Sequence, residues 1–336
     1  MSSAAGRAAP SVAVAVVSWN TRELLANCLE SLAEDAAAGL ADVWVLDNGS
    51  SDGSAAMVRE RFAWVHLLER ADNVGFGPAV NEIARRADAE WLAAANADVA
   101  LAPGALTRMV DLGRSHPRVG AVAPQLITPD GAVQHSVHSF PSPALALLFN
   151  LGFHRVVPGL GDRLCLEGHW DPARRRRVPW AHGAFLLLRR SAFDEVGGFD
   201  PAQWMYAEDI DLQWRLSGGG WITVYEPAAR AAHAVSAATL KAFGPERTAR
   251  HTAASYAWLL RRRGWLAAGT SAALNALGAA LRWAAAARPA RLSTPGQTAK
   301  RHRYATYARI HARGLLGAGS LRRAIERPPA LGEPER

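Results

Sequence analysis

From Ser11 to Trp19 the chain is almost continuously apolar and rich in valine, the pattern of a strand buried on both faces. Asn20 then reads as a helix cap, with Glu23 three residues later as the far half of a capping box, and the helix runs to about Ala36. Ala41–Leu46 is a second buried strand, a helix follows to Phe62, and Val65–Leu68 is a short third strand. A helix through Arg86 precedes a strand at Glu90–Ala95. Pro103 suits the first position of another helix, and Val119–Pro124 is a further strand. Strand and helix alternate strictly up to Pro124, which predicts a parallel, doubly wound α/β sheet. Ligands of such sheets lie beyond the carboxyl ends of the strands. Asp47, Asn73 and Asn96–Asp98 stand at those ends, so they should converge in space.

Regularity is lost between His138 and Pro179, a segment with five prolines and the run Arg174–Arg177. That run is either a solvated face or a contact for a phosphate-bearing partner. Trp180–Arg190 returns to a strand. From Glu208 the chain reads as a helix, with Ile210 and Trp214 and then Leu212 and Leu216 at i, i+4, and Gly218-Gly219-Gly220 stopping it. Trp221–Tyr225 is a last strand, followed by a loop carrying His233. After Pro245, Glu246–Arg263 is helical and basic. Gly264–Leu281 is uncharged and lies between Arg261-Arg262-Arg263 and Arg282-Trp283. Its length as a helix, about 27 Å, falls short of a ~30 Å hydrocarbon core. It is therefore either an interfacial helix beside anionic lipid or a buried bundle helix. The implied organisation is a disordered lead at 1–10, a main domain at 11–240 divided near 125, basic helices at 241–325 and a disordered tail at 326–336.

Composition narrows the classes. The chain has 336 residues, 49% of them hydrophobic, enough for one large α/β domain with an appendage. The net charge is +8, and because Lys241 and Lys300 are the only lysines it is carried by arginine. Such a surface suits nucleic acid, anionic lipid or a diphosphate substrate. A nucleic-acid protein would interleave arginine and aromatic residues on one face. Here the arginines are scattered and acids line the proposed cleft, so no nucleic-acid partner is expected. Cys28 and Cys165 have no metal-type spacing, which fits a reduced cytoplasmic setting. No Gly-x-Gly-x-x-Gly follows the first strand; Trp19-Asn20-Thr21-Arg22 stands there instead, which argues against a dinucleotide-dependent dehydrogenase.

Candidate chemistry centres on Trp204-Met205-Tyr206-Ala207-Glu208-Asp209-Ile210-Asp211. Acids in a first helical turn favour the positive end of the helix dipole. Two adjacent acids behind aromatic walls also suit a base whose proton affinity is raised by desolvation. Asp47-Asn48-Gly49 is either a turn or a nucleotide contact. Asp98, exposed at a strand end and facing a nucleotide diphosphate, would hold a divalent cation through oxygen.

Six segments in order resemble glycosyltransferase family 2. They are Val16–Asn20, Asp47–Gly53, Asn73–Gly77, Asn96–Asp98, Gly197–Asp200 and Tyr206–Leu212. The Met-Tyr-Ala-Glu-Asp-Ile-Asp-Leu form of the last resembles bacterial rhamnosyltransferases of cell-wall and polysaccharide assembly. The resemblance implies a GT-A fold: a Rossmann-like, doubly wound mixed sheet with a C-terminal helical extension. The half at 11–125 would bind the nucleotide sugar, and the half at 126–240 would hold the acceptor and the catalytic acid. It further implies a divalent cation (Mg²⁺ or Mn²⁺), a nucleotide-sugar donor such as dTDP-rhamnose, a lipid-linked or glycan acceptor, and inversion at the anomeric carbon. Carried over by position, Ser18, Asn20, Asp47, Asn73, Gly75, Asn96 and Arg215 would serve the donor, and Asp98 and His233 the metal. Asp209 would be the base, with Glu208 orienting the acceptor or tuning Asp209. The family's Asp-x-Asp begins with Asn96 here, and its His-x-x-Gly-x-Ser reads His233-Ala234-Val235-Ser236-Ala237-Ala238. The expected location is peripheral, on the cytoplasmic face of the cell membrane. The alternative is a family member with another sugar and a soluble or glycan acceptor.

Overall fold

A computed structural model describes residues 10–234, 247–286 and 295–315. The lead at 1–9, Pro245, Glu246 and the tail from Ile325 onward lie outside the described residues. The described chain divides into two compact units. A sheet unit takes in 10–138, 171–204 and 208–234; a helical unit takes in 139–170, 205–207 and the described part of 247–315.

In the sheet unit the strands are β1 (Val12–Ser18), β2 (Ala41–Asp47), β3 (His66–Glu69), β4 (Trp91–Asn96), β5 (Val99–Leu101), β6 (Val119–Ile127), β7 (Val137–His138), β8 (Arg176–Val178), β9 (Trp180–Ala181), β10 (Phe185–Arg189) and β11 (Ile222–His233). The main sheet runs β3-β2-β1-β4-β10-β6-β11-β5, with β8 on β11, and β7 pairs β9 apart from it. The helices are α1 (Arg22–Ala37), α2 (Ser54–Arg61), α3 (Phe76–Ala84), α4 (Ala105–Arg114), α8 (Arg190–Glu195) and α9 (Glu208–Gly218). Between α4 and α8 in the chain come α5 (Pro143–Asn150), α6 (Phe153–Val156) and α7 (Leu160–Arg163), which belong to the helical unit.

β1 lies parallel between β2 and β4, with Ser18 opposite Asp47 and Val17 opposite Asn96. Val12, Val14 and Val16 on one face and Ala13 and Ala15 on the other are all buried, as a strand covered on both faces requires. α1 adds Leu25, Leu29 and Leu32 to the same core, each worth roughly 1.5–3 kcal/mol when removed from water. Trp91 is fully enclosed, and a Cβ at Gly113 would sit 2.3 Å from its ring, so the approach of α4 to β4 requires glycine there.

Several elements depart from the sequence pattern. Asn20 does not cap α1: Thr21 occupies that position, and Asn20 takes a left-handed conformation (φ 53°). α4 starts at Ala105, two residues after Pro103. The irregular 138–179 stretch contains three short helices, the first capped by Ser142 with Pro143 behind it. The continuous strand expected at Trp180–Arg190 is two strands, separated at His182–Ala184. β10 enters antiparallel between β4 and β6, which makes the sheet mixed. The last strand extends past Tyr225 to His233, through a register break between Glu226 and Arg230 that accommodates Pro227. His233 therefore ends a strand and is not in a loop.

The helical unit is completed by α10 (Arg247–Ala285) and α11 (Pro295–Arg313). α10 is broken at Gly264 (φ 81°, ψ 173°), where Trp265 and Leu266 are exposed directly after Arg261-Arg262-Arg263. Beyond the break, Ala268, Ala272 and Ala279 are buried, while Leu277 and Leu281 face solvent. The stretch is thus partly a packed helix and partly an exposed apolar one. Among the described residues, no helix is long and apolar enough to cross a membrane.

Candidate active site

Three loops meet at the carboxyl ends of β1 and β2. Asp47 is almost wholly buried and accepts the Ser50 N–H at both carboxylate oxygens (2.9 and 3.4 Å). Burial raises its pKa, against the lowering effect of the Ser50 bonds. The Asn48 N–H donates to the Ser18 carbonyl (2.8 Å), and its side chain bridges to the 73–75 loop, donating to the Gly75 carbonyl (3.3 Å) and accepting from Val74 (3.4 Å). Asn20 donates its N–H to Ser50 Oγ (2.9 Å) and accepts the Ser51 N–H on its side chain (2.8 Å). Its left-handed backbone therefore clamps the 47–53 loop. Asn73 accepts the Gly75 N–H (2.9 Å), and its carbonyl accepts the Trp204 indole N–H (3.3 Å). Gly75 has φ 90°, and a Cβ there would lie 2.3 Å from the Trp204 carbonyl, so only glycine fits. Ser18, Asn20, Asp47, Asn73 and Gly75 are thus one hydrogen-bonded group.

The second group hangs on β4. Asn96 ends that strand, and Asp98 lies in the tight turn to β5. β11 pairs antiparallel with β5 so that His233 stands opposite Val99, and the Ala234 N–H donates to the Asp98 carbonyl (3.0 Å). His233 Nε2 lies 3.4 Å from Asp98 Oδ1, both side chains more than nine-tenths buried. His233 Nδ1 is 2.7 Å from Gln134 Oε1, which sets Nδ1 as the donor and turns the Nε2 lone pair toward the Asp98 carboxylate. Nε2 has no hydrogen-bond partner among the described residues. A lone pair facing a carboxylate in a buried place calls for a proton or a cation between them. An imidazole and a carboxylate, with further positions left for phosphate oxygens and water, suit a divalent ion. Among the described residues no group of three or more His, Cys, Asp or Glu side chains assembles.

Asp209 joins this second group through the backbone. The Asn96 N–H donates to the Ala184 carbonyl (2.9 Å), and the neighbouring Gly183 N–H donates to Asp209 Oδ2 (3.0 Å). Asp209 Oδ1 accepts the Ile210 N–H (2.8 Å), an orphan donor of the first helical turn. Before it, Tyr206 and Ala207 both have positive φ (61° and 63°), an unusual conformation that turns the chain into α9. Glu208 Oε2 is shielded and has no hydrogen-bond partner among the described residues. Desolvation first, and the charge of Asp209 second, push its pKa up to about 8. At neutral pH Glu208 is therefore mostly a hydrogen-bond donor and Asp209 the acceptor.

Arg215 joins neither group. It pairs with Asp211 on its own helix (2.8 Å), the latter fully buried, and donates to the Val196 carbonyl (2.6 Å). Two other features come from the structure and not from the sequence pattern. The Gln213 side chain pairs with both backbone groups of Ala181 (2.8 and 2.7 Å) and docks α9 on β9. That pairing and the Gly183–Asp209 bond explain why the strand breaks there. His138 and His182 approach Nε2 to Nε2 at 3.0 Å, with His138 stacked on Trp180. A glutamine four residues after Asp209 was the one visible hint.

A mixed α/β sheet with these loops at its strand ends is the architecture of GT-A glycosyltransferases. The mannosyltransferase PcManGT of Pyrobaculum calidifontis, solved with GDP-Man and Mn²⁺, shares it at a TM-score of 0.58 and 20% identity, over 94% of this chain and 87% of that one. Residues 13–206 match the model of Glycosyl transferase family 2, and 162–294 match that of Glycosyl transferase family group 2. The chain belongs to glycosyl transferase family 2. It is 38% identical over 210 residues to the N-acetylglucosaminyl-diphospho-decaprenol L-rhamnosyltransferase of Mycobacterium tuberculosis, covering 57% of this chain and 66% of that relative, just under two-thirds of its length. It is also 50% identical over 56 residues to the rhamnosyltransferase WbbL of Escherichia coli, 17% of this chain and 21% of that one.

Proposed function

We propose that the chain is an inverting glycosyltransferase that moves L-rhamnose from dTDP-rhamnose to a polyprenyl-diphospho-N-acetylglucosamine acceptor, working peripherally at the inner face of the cell membrane. The observation that carries the reading is Asp209, held by Gly183 beside the Asn96–Asp98 turn. In that position it takes the proton of the acceptor hydroxyl while the oxygen attacks the anomeric carbon in line with the departing nucleotide. A β-linked donor then gives an α-linked product. Glu208, protonated at neutral pH, orients the acceptor through a hydrogen bond. The Asp47 group holds the nucleoside end, with Asn73 and Gly75 along the ribose and diphosphate. Asp98 and His233 would hold Mg²⁺ or Mn²⁺, which when bound offsets the charge of the diphosphate. The mycobacterial and E. coli relatives support rhamnose, and the basic helical unit supports a lipid-linked acceptor.

The test is thermal unfolding of the whole chain with dTDP, dTDP-rhamnose, UDP- and GDP-sugars, each with and without Mg²⁺ or Mn²⁺. A ligand that binds only the folded state at 100 times its Kd stabilises by about 2.7 kcal/mol. Metal-dependent stabilisation by dTDP-rhamnose above the others is expected, with the metal-dependent part lost in Asp98→Ala. Preference for a UDP- or GDP-sugar overturns rhamnose and leaves the base assignment standing. No response to any nucleotide overturns the transferase reading.

A further inference from the structure

The helical unit holds a cavity of about 300 Å³ that the proposed reaction leaves without a role. That is the size of a small ligand site. Its walls are apolar, with Leu145, Ala146, Phe149, Leu166 and Leu259 among them. Its polar side is uncharged. Asn275 donates to the Tyr256 hydroxyl (3.2 Å), which lies 2.8 Å from His311 Nδ1. Burial, and then the charge of Arg282, lower the His311 pKa to about 4, and burial raises that of Tyr256 to about 12, so both are neutral at pH 7. Ser271 lines the cavity, is nearly fully buried, and its hydroxyl has no hydrogen-bond partner among the described residues. An unpaired hydroxyl facing an apolar space has a donor to offer and no charge to hold an ion.

The surroundings are cationic. From Arg247 to Leu315 the chain has thirteen lysines and arginines and no aspartate or glutamate. Arg282 lies over the Phe149 ring and donates to Asn150 (2.8 Å), where α5 crosses α10 at Gly278. Leu147 on α5 and Leu151 just after it, and Leu277 and Leu281 on α10, flank that crossing and are all exposed. At another point of the cavity wall, the His251 ring meets the Tyr206 ring edge to face (centroids 5.6 Å). Tyr206 is three residues before Asp209, so the chain itself keeps their Cα atoms within about 11 Å.

An apolar hollow lined in part by the acid-free, cationic helices α10 and α11 matches an anionic amphiphile: chain inside, phosphates outside. We infer that the cavity takes the head-proximal part of the prenyl chain of the lipid-linked acceptor. This rests on the transferase reading above. A prenyl chain suits it better than a saturated acyl chain, because a double bond offers the Ser271 hydroxyl a weak π acceptor and a saturated chain offers none.

The test uses the whole chain and a diazirine-bearing geranylgeranyl diphosphate, cross-linked by light and mapped by peptide mass spectrometry, with no transfer measured. Label is expected on the α5 and α10 residues that line the cavity, displaced by unlabelled geranylgeranyl diphosphate and not by palmitate. Ser255→Trp at the wall and Ser271→Phe at the polar side should each cut labelling at least tenfold, with unchanged melting temperature in Ser255→Trp. Label elsewhere, undiminished label in a folded Ser255→Trp protein, or equal displacement by palmitate each overturns the inference. The nucleotide-sugar unfolding assay reports separately on the transferase reading, so the two can fail independently.

Discussion

In the sheet unit, acids stand where strands end. Asp47 closes β2, Asp98 follows β4 and Asp209 opens α9; backbone N–H groups hold the first and last, and His233 faces the second. The two long helices of the helical unit are the reverse: α10 and α11 carry no acid, and their exposed positions include arginines together with Trp265, Leu266, Leu277 and Leu281. Under the proposed reading the contrast divides the work between the two surfaces. Fixed, partly desolvated carboxylates do proton and cation chemistry. A cationic, apolar surface without acids gathers an anionic, apolar partner.

The sharpest way to break this division is Asp209→Asn. It should lower kcat by about 10²–10⁴-fold while leaving the donor-induced rise in melting temperature intact, because only the proton acceptor is lost. Retained turnover would move the reacting centre away from α9. The helical side is addressed by replacing Arg261, Arg262 and Arg263 with glutamine. At about 1 kcal/mol per charge near an anionic bilayer, sedimentation with phosphatidylglycerol vesicles should weaken roughly a hundredfold, with turnover on a short soluble acceptor unchanged. Unaltered vesicle binding removes the membrane role from the helix break.

A finer cut separates structure from chemistry within α9. Arg215→Ala removes the ion-pair partner of the fully buried Asp211 and should cost about 3 kcal/mol in urea unfolding, with the donor KM unchanged. A raised donor KM at unchanged stability would return Arg215 to the donor site. The last cut is on pH. The Glu208 pKa rises from 4.5 in the unfolded chain to about 8 in the fold, so between these values the folded protein binds a proton that the unfolded chain has released. Stability from this group therefore falls as pH rises from about 4.5 to about 8. Glu208→Gln should flatten that fall in melting temperatures taken from pH 5 to 9; parallel curves would show that Glu208 is not the group.

β1, β2 and β4 were legible because strands buried on both faces must be apolar at nearly every position, and the loops after them stood out by their Asp, Asn and Gly. α9 was legible from its i, i+4 apolar pairs and from Gly218–Gly220. Asn20 was misread because an asparagine before a helix caps it in most local contexts. Here its partners, Ser50 and Ser51, lie thirty residues away. Trp180–Arg190 looked continuous because apolar runs do not show where another element takes over backbone hydrogen bonds. His233 looked like a loop residue because Pro227 interrupts the strand pattern that the register break absorbs.

By itself the sequence determined the order of the elements, the faces they bury and the chemical types at the strand ends, since hydrophobic period and turn chemistry act between near neighbours. The pairing of β10 between β4 and β6, the approach of Gly183 to Asp209, the meeting of His233 with Asp98, and the joining of 139–170 with α10 and α11 belong to the tertiary structure. Each depends on partners far apart in the chain, and hydrogen bonding and packing across such separations leave no local period to read.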